Sequence, residues 1–203
     1  MAKKEYRILV LLLLIIAGHL DAQQFNFEGD KKQFYPYNRK VAELLDKDDA
    51  KGMKRLLEKE SSLVNSSSRM TNVSNYAVLS GGKVPLLYDA IDRYLNNKCS
   101  FEILEVLFNY SPNMYCSHEG LTPFYLIINY ISTNKISVCE RANKIFILFA
   151  SQPGFDVNQK YKDLPPPLSY LLSTNTVFLN NSYSREYIST EVILALLNKG
   201  ASL

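Results

Sequence analysis

The 203-residue chain has no tryptophan, only two histidines and only three cysteines. His19 lies in the signal peptide predicted below, so His118 is the single histidine of the mature chain. Metal sites usually take three or four ligands from clustered His, Cys and carboxylate side chains. The cysteines follow one another at spacings of 17 and 23 residues, which match no zinc or redox motif; they are Cys99, Cys116 and Cys139. The sequence therefore predicts no metal site, no cofactor, and thiols that act as small buried hydrophobic groups.

The chain also lacks a strong excess of charge, since its formal net charge is only +3. A charge of that size indicates neither nucleic-acid binding nor attraction to a membrane surface. The densest basic group lies on one predicted helix, where Glu58 and Glu60 interrupt it, and comprises Lys51, Lys54, Arg55 and Lys59. Such mixed charge is typical of a solvated helix face. We therefore expect no nucleic-acid partner.

The N-terminal apolar run is well short of the roughly 20 residues that a membrane-spanning helix needs. It extends from Ile8 to Ala17 and follows the basic residues Lys3, Lys4 and Arg7. A membrane anchor is the alternative interpretation, but the run is too short for one. A basic region, a short apolar run and a small residue at the cut, here Ala22, are typical of a cleavable signal peptide. The sequence predicts a signal peptide over residues 1–22 and a periplasmic or secreted protein with no membrane span after cleavage.

Two regions follow the predicted cleavage site. Residues 23–40 are polar with scattered aromatics and no periodicity, which predicts a linker or an irregular N-terminal cap. From Val41 onward, apolar residues recur at three- and four-residue spacing, which predicts helices. Four similar apolar stretches, each with a turn and a short tail, lie at 53–65, 103–115, 144–158 and 192–203. Helix starts that contain proline precede the last three of them, at 84–91, 120–128 and 166–172.

These helix pairs resemble ankyrin repeats. The likeness is carried by Gly120-Leu-Thr-Pro-Phe-Tyr125, by Phe155-Asp-Val-Asn158 and by Leu196-Leu-Asn-Lys-Gly-Ala201. It covers about Val41 to Leu203. The resemblance implies an all-α fold, a helix-turn-helix repeat solenoid of three to four units over residues 41–203.

Several features depart from the family pattern. Tyr125 and Ser169 stand where the family has histidine, and the glycine between paired helices is missing. The prolines of successive units are 38 and 44 residues apart, whereas the usual repeat is about 33 residues long. We expect the surplus in loops at 65–83, 131–136 and 174–185. An unrelated helix-pair repeat is the alternative fold.

The resemblance implies a binding module, because such arrays present a concave face of first helices and projecting fingers. We expect a protein partner of unknown identity, an adaptor, inhibitor or immunity-type role, and no enzymatic activity. The residues expected on that surface are Asp92, Arg93, Tyr115, His118, Glu119, Asn129, Tyr130, Lys160, Tyr161, Lys162 and Asp163.

Two other functions are compatible with the sequence. Cys116 and His118 are the candidate nucleophile and base of a thiol-dependent enzyme, although adjacent spacing is weak evidence for a catalytic pair. The other hypothesis is a structural envelope protein that self-associates, with a homodimer contact through the C-terminal repeat.

Overall fold

The computed structural model describes residues 36–70, 83–118, 120–133, 136–161, 163–179 and 188–202. The predicted signal peptide (1–22) and most of the predicted linker (23–40) lie outside these residues. The described part of the chain is mostly helical, with eight α-helices and one two-stranded sheet. This agrees with the predicted all-α class. None of the described helices combines the length and the hydropathy needed to cross a membrane.

The described elements are short helices with one pair of strands among them. In order they are α1 (Arg39–Asp46), α2 (Ala50–Lys59), a 3-10 helix (Ser61–Asn65), β1 (Ser67–Met70), β2 (Lys83–Pro85), α3 (Leu86–Leu95), α4 (Phe101–Phe108), α5 (Pro123–Thr133), α6 (Ile136–Ser151), α7 (Pro167–Leu179) and α8 (Thr190–Asn198). The two strands are antiparallel, and their register shifts between Ser67 and Arg69. Pro123 and Pro167 are the first residues of their helices, where a missing N–H costs little.

Helices pack both on their sequence neighbours and on the next helix but one. Helix α1 packs on α2, α3 on α4, and α5 on α6. In addition, α2 contacts α4, α3 contacts α5, α5 contacts α7, and α6 contacts α8. The helices thus bury apolar surface against the preceding and the following pair, which is where the core lies.

Two turns between paired helices place residues that carry a side chain in the left-handed region. Asp48, between α1 and α2, has φ 53°, and Asn97, between α3 and α4, has φ 58°. Asp and Asn tolerate the left-handed region better than other residues that carry a side chain. Both turns therefore use a conformation that glycine adopts most readily, with a residue that tolerates it.

An aromatic cluster lies at the centre of the core. Phe124 of α5 packs on Phe146 and Phe149 of α6, with ring centroids 4.9 and 5.6 Å apart. Phe155, in the segment after α6, lies 5.3 Å from Phe124, and Phe108 of α4 lies 5.0 Å from Phe149. Close tilted and edge-on rings add to the burial energy of the individual side chains. The cluster joins α4, α5 and α6 into one core.

Several element boundaries differ from those that the sequence predicts. Helix α1 begins at Arg39, two residues before the predicted start, because the Asn38 side chain accepts a hydrogen bond from Val41 N and caps the helix. Residues 131–133 and 174–179, which the sequence places in loops, continue α5 and α7. They include Ser, Thr and Asn, whose weak local preferences are overridden by the surrounding fold. The predicted loop at 65–83 contains β1.

Candidate functional site

A short hairpin precedes α5 and carries the first of the predicted site residues. His118 and Leu121 exchange two backbone N–H to O hydrogen bonds, each 3.0 Å long. Gly120 lies in the turn with φ 80°, a conformation that a Cβ would strain. The half-buried ring of His118 packs edge-on against Tyr88 at 5.2 Å. Glu119 lies outside the described residues.

A polar patch, formed by Asp92, Asn96, Asn129 and Tyr130, bridges α3 and α5. The Tyr130 hydroxyl donates to Asp92 Oδ1 at 2.5 Å, and Asn96 Nδ2 donates to the Tyr130 oxygen at 2.6 Å. Burial, together with the Asp92 carboxylate, raises the pKa of Tyr130, so the phenol keeps its proton. Asn129 is exposed beside it. Two of the predicted site residues, Asp92 and Tyr130, therefore meet across two helix pairs, and Asn129 is adjacent to Tyr130 in the sequence.

Arg93 follows Asp92 in the sequence but belongs to an internal cluster. Its Nε donates to Asp89 Oδ1 at 3.1 Å, and its guanidinium lies 2.7 Å from Asp46 Oδ1. Asp89 is fully buried and also accepts a 2.7 Å hydrogen bond from the Ser68 hydroxyl. Burial lowers the pKa of Arg93, but the two carboxylates outweigh it and the net shift is upward. Arg93 therefore ties α1 to α3, and Asp89 ties both to β1.

Sequence reasoning missed Asp89, because a single carboxylate among apolar residues carries no motif. The available signal was the i, i+4 spacing of Asp89 and Arg93 on a predicted helix, which favours an ion pair. A buried carboxylate needs such a partner, since an unpaired charge in the core is strongly unfavourable.

A narrow cleft brings together three further predicted residues, Tyr115, Lys160 and Tyr161. Its floor is apolar and includes Phe124 and Phe155. The free volume of the cleft is about 10 Å³, which is room for about one water molecule. The cleft therefore does not accommodate a small-molecule ligand.

Two tyrosines of the cleft are engaged within the fold. The Tyr115 hydroxyl accepts a hydrogen bond from Asp156 N and lies 3.4 Å from Gly154 O. Tyr161, expected on the binding surface, is only 9% exposed and packs against the Tyr125 ring at 6.4 Å. Lys160 is half-buried, Asp163 beyond the cleft is exposed, and Lys162 lies outside the described residues. The polar heads of Lys160 and Asp163 are thus the accessible part of this surface.

The environment of Cys116 bears on the thiol hypothesis. Cys116 is 1% exposed, and burial raises the pKa of its thiol to about 12. At pH 7 only about one such thiol in 10⁵ is ionised. Catalytic cysteines instead have lowered pKa values and access to solvent. Burial also raises the pKa of Cys99 to about 12 and that of Cys139 to about 11. The geometry does not favour a thiol nucleophile at these positions.

The described residues contain no group of three or more His, Cys, Asp or Glu side chains placed to hold a metal ion. All three cysteines are buried, and none of them forms a disulfide. In comparisons with known proteins, the chain matches no family model, no curated protein and no solved structure.

Proposed function

We propose that the chain is an exported helical repeat scaffold of the ankyrin type that binds another protein. Its binding surface would combine the polar patch on α3 and α5 with the segments that connect the helix pairs. The proposal rests on one observation above all, a hydrogen bond that recurs between successive units.

That recurrent bond joins a side chain in the segment after one helix pair to a backbone N–H in the corresponding segment after the next pair. Asn65 Oδ1 accepts from Asn113 N at 2.7 Å, and Asn158 Oδ1 accepts from Ser202 N at 2.6 Å. Between these two, the Tyr115 hydroxyl accepts from Asp156 N. A side chain at the matched position thus accepts a hydrogen bond from a matched backbone N–H three times. The donor and acceptor residues are 48, 41 and 44 residues apart in the sequence. A regular contact of this kind is what a stacked array requires, since each unit contacts only its neighbours.

The ends of the second helices support the same interpretation. Ser111, after α4, has φ 51°, and Gly200, after α8, has φ 91°. Both residues occupy the position of the glycine that ends the family's second helix, and the left-handed conformation is a common way to terminate a helix there. The shared conformation argues for a common design of these two units; Gly154, at the matched position after α6, does not adopt it.

The character of the polar patch supports binding to a protein. It contains an aromatic residue, amides and a carboxylate, and its Asn96 and Asn129 are exposed. Aromatic side chains within a polar surround are characteristic of protein interfaces. The cleft that Tyr115 lines is too small for a metabolite. A macromolecular partner therefore fits the surface around the cleft better than a small ligand does.

Affinity capture tests the proposed interface. The bait is the mature chain, residues 23–203, presented to the exported fraction of its native host. One variant carries Lys160→Glu and Asp163→Lys beside the cleft. The matched control carries Glu140→Lys and Lys144→Glu, two exposed charges of α6. Both variants leave the net charge unchanged.

We expect one specific protein to be captured by the parent and by the control, and to be lost with the Lys160/Asp163 variant. Equal retention by both variants would contradict an interface beside the cleft. Capture of nothing by a homogeneous monomer would contradict the binding role as a whole.

The proposed export is tested separately by N-terminal sequencing of the protein recovered from its host. Cleavage after Ala22 would give a chain that begins at Gln23. Recovery of a chain that begins at residue 1 from the cytoplasm would contradict the signal-peptide assignment.

Self-association is a second candidate, and one observation favours it. Leu194 of α8 is 49% exposed, more than any other large hydrophobic residue of the described part. Exposed apolar surface on the last helix pair would be covered in a homodimer. Sedimentation over a range of concentrations, with the Leu194→Glu variant for comparison, tests this. A monomer at every concentration would exclude it.

A further inference from the structure

A groove with walls of opposite charge lies between α2 and α4. Its floor is formed by Ala50, Val106 and Tyr110. Lys51 and Lys54 line the α2 side, and Glu102 and Glu105 line the α4 side. The free volume is about 310 Å³, far larger than that of the cleft beside Tyr115. We call this feature the charged groove.

The four charged side chains of the groove are not used by the fold. All four are exposed. Within the described residues none of them takes part in an ion pair or a side-chain hydrogen bond, whereas Arg93, for example, binds two carboxylates. Lysines and glutamates therefore face each other across the groove at more than ion-pair distance. An occupant could pair with both rows at once.

The arrangement of charge restricts what the occupant can be. A nucleic acid or another polyanion would meet the lysines of α2 but would be repelled by Glu102 and Glu105. A polycation would be repelled by Lys51 and Lys54. The apolar floor calls for apolar side chains between the two rows. The complement of this surface has an apolar stripe flanked by acidic groups on one side and basic groups on the other.

We propose that the charged groove binds a helical segment of a partner protein with an apolar stripe, an acidic flank and a basic flank. On the α4 side the groove extends from Glu102 past the end of the helix at Phe108 to Tyr110, and its helical part is about 9 Å long, or nearly two helical turns. Residues three apart lie on one side of a helix, so Lys51 with Lys54 and Glu102 with Glu105 each form a row that a helix can match. The acidic flank of the segment contacts α2, and its basic flank contacts α4.

This arrangement also selects a direction. A helix with one acidic and one basic flank can match the walls in only one of its two orientations along the groove. Exchange of the charges on both walls would reverse the preferred direction and leave the affinity similar. Reversal of the charges on one wall alone gives both walls the same charge. The flank of the helix that carries that charge is then repelled in either orientation. A charge-reversal series therefore separates this model from general attraction.

The test uses the mature chain and a synthetic helical peptide labelled with a fluorophore. The peptide has a Leu and Ala stripe, a row of Glu on one flank and a row of Lys on the other. Fluorescence anisotropy is measured with the parent, with Lys51→Glu/Lys54→Glu, and with the fourfold variant that adds Glu102→Lys/Glu105→Lys. Glu140→Lys/Lys144→Glu on α6 is the control.

We expect saturable binding to the parent and to the control, about tenfold weaker binding to the two-lysine variant, and recovery in the fourfold variant. A second peptide with Lys on both flanks should bind the two-lysine variant more tightly than the parent, which a misfolded variant would not do. Unchanged binding to the two-lysine variant, or no recovery in the fourfold variant, would overturn the proposal. Because the groove is separate from the polar patch and the cleft, failure here leaves the capture experiment unaffected.

Discussion

At Gly52 the space that a side chain would need is already filled. A Cβ added there would lie 2.3 Å from Asp49 Oδ2 and 2.6 Å from Leu44 Cδ2. Asp49 is the N-cap of α2, since it accepts a 2.7 Å hydrogen bond from Gly52 N. Alanine has a higher helix propensity by about 1 kcal/mol, but the clash displaces a cap worth about 1 kcal/mol and a packed leucine as well. We expect Gly52→Ala to lower the free energy of unfolding by about 1–3 kcal/mol, measured by urea denaturation.

Gly154 supplies the control for this substitution. The nearest atom to a Cβ there is Met114 Cε at 3.9 Å, an ordinary van der Waals distance. Gly154→Ala should therefore change the free energy of unfolding by no more than about 0.5 kcal/mol. If both alanine variants were equally stable, the close packing around Asp49 would be contradicted.

The buried thiol of Cys116 predicts how stability depends on pH. Burial raises its pKa from 9.0 to about 12 in the folded chain. Between those two values the unfolded chain releases the thiol proton while the folded chain retains it. The stabilising contribution is therefore present below about pH 9 and is lost as the pH rises toward about 12, by up to about 1.4 kcal/mol per pH unit.

The measurement is urea unfolding of the parent and of Cys116→Ala at several pH values between about 8 and about 11. We expect the variant to show a smaller loss of stability with rising pH, because one titrating thiol has been removed. Identical slopes would show that the Cys116 thiol ionises as readily in the folded chain as in the unfolded one. That outcome would revive the thiol-enzyme hypothesis.

At the scale of the elements, we expect the hydrogen bond between Tyr115 and the segment after α6 to contribute measurably to stability. Tyr115→Phe removes the hydroxyl that contacts Asp156 N and keeps the ring, which stacks on Phe155 at 6.3 Å. Asp156 is exposed, so water can replace the lost partner of its N–H and only the net worth of the hydrogen bond is lost. We expect a decrease of about 0.5–1 kcal/mol in the free energy of unfolding, measured by chemical denaturation.

Tyr110→Phe is the matched control, because the Tyr110 ring packs against the core but its hydroxyl has no hydrogen bond within the described residues. It should change stability by less than about 0.5 kcal/mol. Equal effects of the two phenylalanine substitutions would contradict a bridging role for the Tyr115 hydroxyl.

The helices are accessible to prediction because their periodicity and their starts are local properties. The spacing of apolar residues predicts helices, and the predicted helix starts at 120–128 and 166–172 contain the first residues observed, Pro123 and Pro167. The turns at Asp48 and Asn97 are harder to predict. The sequence indicates only that glycine is missing there, whereas the backbone conformation is retained by residues that tolerate it.

The candidate site is harder to predict from the sequence, because residues that are distant in the sequence determine the environment of a polar side chain. The sequence predicts Tyr115 as an interface aromatic, yet its hydroxyl contacts the backbone 41 residues away. It predicts Arg93 as an exposed charge, yet the guanidinium binds Asp46 of another helix pair. Asn129 and Asp163 are exposed. Local sequence indicates which residues can bind a partner, and the tertiary contacts decide which are accessible to one.

At the scale of the whole molecule, the pattern of helix contacts predicts that similar truncations in the core of two helices destabilise different extents of the structure. Ile91 of α3 and Ile193 of α8 are both buried, and truncation of either to alanine removes similar apolar volume. Helix α3 contacts α4, α5 and α6, whereas the principal helix contact of α8 is α6. Where stability comes from contacts between neighbouring helices, damage to a helix with one principal contact remains local, and damage to a helix with several contacts spreads.

Native-state amide hydrogen exchange distinguishes the two cases. We expect Ile193→Ala to accelerate exchange in α8 while α1 to α4 keep their protection, and Ile91→Ala to accelerate exchange throughout the described helices. If both variants lowered protection uniformly, the chain would unfold as one cooperative core, and the recurrent hydrogen bonds at Asn65, Tyr115 and Asn158 would be ordinary tertiary contacts. If α8 alone loses protection, its exposed Leu194 belongs to a dynamic helix, which is the surface that a second copy or a partner protein would stabilise on binding.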